Sequence, residues 1–204
     1  MKLMARRLLL SALLLLSCVA ARAQVIEFES NGLKYLTLTR SGVTVMFAVM
    51  PNHLHEYGII QVAVSNGSTG PYVIKPEDFT FVRSDGVELR ATPARTVVNM
   101  LSQKGSASDV IHLVTSYENA VYGNSRLKST NGYEQRRQSA LAMGSTKLKA
   151  MAAASALALV QTKLPPGEST DGAVFFLNES KPLGPGHLLV RTNTDTFDFT
   201  TDTP

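Results

Sequence analysis

Cysteine, tryptophan and long apolar runs are what this chain has least of. There is one cysteine, Cys18, and no tryptophan in 204 residues. A single cysteine cannot form an intrachain disulfide or supply a multi-thiolate metal cage. Its position near the start leaves the rest of the chain without a thiol nucleophile. The longest apolar run, Leu8 to Val19, is broken by Ser11 and Ser17 and falls short of the ~20 apolar residues that a spanning helix needs. No Gly-x-Gly-x-x-Gly, no Walker loop and no Gly-x-Ser-x-Gly elbow occurs, so nucleotide binding and α/β-hydrolase chemistry have no sequence support. No cofactor is implied.

What is present begins with an address. Met1 to Arg7 is short and basic, the apolar run follows, and Ala21-Arg22-Ala23 offers the small-x-small pattern of a signal-peptidase site. Residues 1–23 read as a signal peptide, which predicts an exported protein, periplasmic or extracellular, with no transmembrane span in the mature chain. Leu15-Leu16-Ser17-Cys18 loosely matches a lipobox, an alternative in which Cys18 carries a lipid anchor. The leader also accounts for the basic pI. Lys2, Arg6, Arg7 and Arg22 lie within it and no acid does, so the remaining Lys and Arg balance the 16 Asp and Glu. A neutral mature chain gives no ground for nucleic-acid binding.

Residues 24–92 read as strands. Leu33 to Leu38, Val43 to Met50 and Gly58 to Val64 are rich in β-branched and aromatic residues, with Ser41-Gly42 as a turn. Phe79 to Val82 and Val87 to Arg90 flank Ser84-Asp85-Gly86, a hairpin signal. Strand character returns over 164–204, at Gly172 to Leu177, His187 to Arg191 and Thr196 to Thr200. This spacing predicts a mainly β fold, an antiparallel β-sandwich. Residues 93–163 differ and predict a helical insertion. Ser106 and Asp109 can cap a helix in which Val110, Val114, Tyr117 and Val121 recur at helical spacing. Tyr133 to Thr162 is alanine-rich, predicting one long helix or two joined near Gly144. Charge divides at the same boundary: the insertion holds nine Lys and Arg against three Asp and Glu, and the rest of the mature chain is correspondingly acidic.

Three segments carry a resemblance. Val62 to Ser68 runs a strand into Asn-x-Ser; Pro76 to Gly86 runs a strand into an Asp-Gly turn; Leu164 to Phe176 places Leu-Pro-Pro-Gly-Glu before a late core strand. Together they resemble the exported bacterial immunoglobulin-like domains of the telokin-like kind, whose function is uncharacterised. The resemblance spans about half the mature chain and leaves out the insertion. It implies an immunoglobulin-like sandwich with a binding or scaffolding role, and it supplies no catalytic residues.

Two sets of residues are candidates for chemistry. His53 and His55, with Met46 and Met50 upstream, combine imidazole with thioether, a set that suits copper. Tyr117, Tyr122 and Tyr133 with Arg126, Arg136 and Arg137 gather in sequence around the inter-helix loop, and Tyr and Arg are common interface anchors. The expectation is a non-enzymatic binding or structural module of the cell envelope that contacts an envelope protein or an anionic envelope polymer through the basic insertion. A periplasmic copper-binding protein is the alternative.

Overall fold

The computed structural model describes residues 24–122 and 132–200, with the side chains of Val121 and Tyr122 left aside. The leader, Cys18 and Arg126 lie outside the described residues. The chain is mainly antiparallel β with a block of helices. Among the described residues eleven strands occur: β1 (Ile26–Ser30), β2 (Leu33–Arg40), β3 (Val43–Leu54), β4 (Tyr57–Asn66), β5 (Tyr72–Ile74), β6 (Phe79–Arg83), β7 (Glu88–Thr92), β8 (Thr162–Leu164), β9 (Ser169–Leu177), β10 (Gly186–Arg191) and β11 (Thr196–Asp198). The helices are α1 (Ala94–Lys104), α2 (Ala107–Tyr122), α3 (Tyr133–Leu141) and α4 (Thr146–Leu157).

Nine strands form one curled sheet in the order β1-β2-β3-β4-β9-β7-β6-β10-β11, while β5 and β8 pair separately. The turns set its register. Ser41 and Gly42 both take positive φ, 49° and 81°, as a tight two-residue hairpin turn requires. Gly86, at φ 84°, lets Val82 pair with Glu88 across the expected Asp-Gly hairpin. The curl turns at β7, whose Glu88 to Arg90 pair with β6 while Ala91 and Thr92 pair with β9. The far ends then meet. Ser41 Oγ donates to Asp195 Oδ1 at 2.7 Å, and the Phe47 and Phe199 rings meet edge to face at 4.9 Å.

Strand alternation divides the side chains between two cores. Val45, Phe47, Ile60, Val62, Val64, Val174 and Phe176 point into the curl and pack with Phe79, Phe81, Leu188, Val190 and Phe197. Met46, Ala48, Met50, Ile59, Ala63, Ala173 and Phe175 point outward and are covered by Val97, Leu101, Leu113, Tyr117, Ala150, Ala153 and Leu157 of the helices. The middle strands are therefore buried on both faces, which is why β4 and β9 read as near-continuous apolar runs.

Local chemistry starts and stops the helices. Ser106 and Asp109 close a capping box at α2: Ser106 N donates to Asp109 Oδ2 at 2.7 Å and Asp109 N to Ser106 Oγ at 3.3 Å. Ser145 Oγ accepts from Leu148 N at the start of α4. The alanine-rich stretch is two helices, α3 and α4, with the break at 142–145. α1 follows Pro93 and stops at Gly105. Its Val97-Val98 pair has strand propensity, yet Val97 is fully buried as part of a helical face.

Candidate functional site: the helical layer

The four helices form a layer on the outer face of the sheet, α4 packing against α1, α2 and α3, and α2 against β3. Small residues let them approach. Ala150, Ala153, Ala154 and Ala156 of α4 are all buried. A Cβ built on Gly105 would lie 3.2 Å from that of Ala150, which places the end of α1 beside the first turns of α4.

Of the histidine and methionine residues that suit copper, Met50 and His53 line one cavity, while His55 turns to Asp109. Met46 and Met50 belong to the outer core, beneath the helices. His53 lies on β3 at the rim of a cavity shared with Met50 and with His112 of α2. His55 occupies the β3–β4 turn at φ 49°, and its Nε2 lies 3.1 Å from Asp109 Oδ2. The strand irregularity between Val49 and His53 and the tight turn after Leu54 send the two imidazoles to different neighbours. Among the described residues no group of three or more His, Cys, Asp or Glu side chains is arranged to hold a metal ion.

The Tyr and Arg cluster does come together, but its contacts are internal. Tyr117 and Tyr133 are buried, with ring centroids 4.4 Å apart. The Tyr117 hydroxyl donates to Asp171 Oδ2 on β9, and Tyr133 donates to Glu118 at 3.4 Å. Arg136 donates from Nε and Nη2 to the carbonyl of Ala156, at 3.2 and 2.9 Å, and so caps the last turn of α4. Arg137 pairs with Glu118 and Glu134. Desolvation opposes its charge, but those two carboxylates outweigh it and hold its pKa above the ordinary arginine value. Of the remaining two members, Arg126 and the Tyr122 side chain lie outside the described residues.

This internal pairing decides the charge of the surface. All three acids of residues 93–163 are engaged: Asp109 by Ser106 and His55, Glu118 and Glu134 by Arg137. The cations Arg95, Lys104, Lys147 and Lys163 are exposed and Lys149 is half-exposed. Asp109 and Glu118 thus turn inward, Glu134 is exposed beside Arg137, and the remaining cations face outward, a division that the linear count of charges could not reveal.

The outer core also holds a polar seam. Asp171 and Gln61 are buried, and Gln61 Nε2 donates to Asp171 Oδ2 at 3.4 Å. Among the described residues Gln61 Oε1 has no hydrogen-bond partner, and Gln61 lines the same cavity as His53, Ser116 and Tyr117. The Asn-x-Ser segment works as a clamp: fully buried Asn66 donates to the carbonyls of Gly70 and Leu164 and accepts from Ser68 N. No helix among the described residues is long and apolar enough to cross a membrane. No protein-family model, curated protein or solved structure matches the chain.

Proposed function

We propose that the chain is an exported, non-enzymatic binding or structural module of the cell envelope, its curled sheet a variant of the immunoglobulin-like sandwich, and that it meets its partner through the helical layer. The observation that carries this reading is the disposition of charge: Asp109 and Glu118 are drawn into a cap and an ion pair, Glu134 lies beside Arg137, and Arg95, Lys104 and Lys147 are exposed with no ion-pair partner among the described residues. Such a face raises the local concentration of anionic partners and speeds their encounter. The surface of contact is the exposed basic side of the helices. Tyr117 and Tyr133, being buried, hold the layer together instead.

The test is photocrosslinking in cells from single positions. Probes at Arg95 and Lys147 report on the helical layer, and probes at Glu88 on β7 and at the exposed Val87 beside it serve as controls. Crosslinked products are expected from the helical positions and to fall when Lys104, Lys147 and Lys149 are changed to Glu. Products from the sheet positions alone would overturn the reading.

A further inference from the structure

The connection between α3 and α4 carries an unusual pairing of apolar and basic groups. Leu141 is 36% exposed, Met143 41% and Leu148 49%. All three fall within eight consecutive residues at the tip of a helical hairpin. Lys147 and Lys149 lie in the same first turns of α4, and Lys104 ends α1 beside them. No acidic residue occurs between Glu134 and Glu168.

A tip that exposes apolar side chains beside cations calls for a partner that is anionic at its surface and apolar just beneath. A sugar polymer supplies the charge but no apolar layer. A protein would have to supply a concave apolar pocket lined with acids. The headgroup region of an anionic bilayer supplies both at once, and lysine side chains can reach its phosphates while their neighbours enter the acyl boundary. We infer that the α3–α4 tip docks on an anionic lipid surface, with Leu141, Met143 and Leu148 inserted shallowly and Lys104, Lys147 and Lys149 on the headgroups. This rests on the reading above that the helical layer is the contact face, and it names the partner.

The absence of tryptophan makes the test local. Met143→Trp creates the only tryptophan of the full chain, and Val87→Trp, at the exposed β6–β7 turn, creates a control. With vesicles of phosphatidylcholine and phosphatidylglycerol the emission at position 143 is expected to shift to the blue, while position 87 does not respond. Pure phosphatidylcholine should give little shift. Each lysine near an anionic surface is worth a factor of about five, so changing all three to Gln should weaken binding about a hundredfold. Changing Leu141, Met143 and Leu148 to Ser should weaken vesicle sedimentation about tenfold or more. No shift at position 143, or an equal shift with neutral lipid, overturns the inference. A shift without vesicles that grows with protein concentration also overturns it and assigns the tip to a second copy of the chain. Crosslinks from the helical layer that persist in the triple Ser variant would leave the module reading in place and remove lipid as its partner.

Discussion

The inner and outer cores of this protein are built from different side chains, and the difference sets how each is held together. Inside the curl, Phe47, Phe79, Phe81, Phe176, Phe197 and Phe199 fill space with large rings among Val, Ile and Leu. Outside it, Ala48, Ala63, Ala120, Ala150, Ala153, Ala154 and Ala173 bring helices and sheet close together. The inner core is stabilised by apolar area and ring packing. The outer core gains less area per residue and adds directional bonds: Tyr35 to the Ala120 carbonyl, Tyr117 to Asp171, and Arg136 to the Ala156 carbonyl. A layer held by fixed polar contacts on its inner side can present a defined arrangement of charge on its outer side.

The largest expected effect comes from emptying the inner core. Phe176 is fully buried with its ring centroid 6.1 Å from that of Phe81, so Phe176→Ala should cost about 3–5 kcal/mol in a denaturant titration. A smaller loss would mean that the curl closes over the space more loosely than its packing implies. Next comes the crossing between the cores. Ala158 packs in the outer core and Leu159 in the inner, and Leu159 N donates to the Ala173 carbonyl at 2.8 Å. Gly172 lies directly under this crossing, where an added Cβ would sit 2.5 Å from Leu159 backbone atoms. Gly172→Ala should therefore destabilise by about 1–3 kcal/mol and loosen α4 before it loosens β4.

The smallest effect separates the outer core by pH. Burial pushes the Tyr35 phenol up to about 12 from an ordinary 10.0. Its folded pKa lies above its unfolded one, so its contribution is complete below pH 10 and is lost as pH rises toward 12. Tyr35→Phe loses the bond to the Ala120 carbonyl, costing about 1 kcal/mol near neutrality, and should flatten the fall of stability over that alkaline range. An unchanged alkaline slope would show that the phenol does not sit buried against α2.

Local signals made much of the fold readable. β-branched runs marked β2, β3, β4 and β6, and Ser41-Gly42 and Ser84-Asp85-Gly86 marked two hairpins, because the positive φ that a tight turn requires is written in residue type. Ser106 and Asp109 marked the start of α2 for a similar reason, and Gly144 marked the break between α3 and α4. α1 was not separately legible, since Thr96, Val97 and Val98 have strand propensity and only packing against α4 and the sheet makes them helical. The strand order was not legible either, because the placement of β9 between β4 and β7 depends on pairing across about a hundred residues. The candidate site was legible in composition but not in geometry. The excess of cations over residues 93–163 was plain; that Arg136 and Arg137 would be used internally and Lys147 and Lys149 left outside depends on which helix face the sheet covers.

The helical layer is half of a core shared with the sheet, and therefore a rigid platform for its basic tip. Hydrogen exchange resolved by peptide tests this directly on the full chain. The amides of α1 and α4 should open with nearly the same free energy as those of β4 and β9, with faster exchange confined to the helix ends and the 142–145 connection. Helices that exchange freely over a protected sheet would contradict it, and would make residues 93–163 an appendage rather than part of the core.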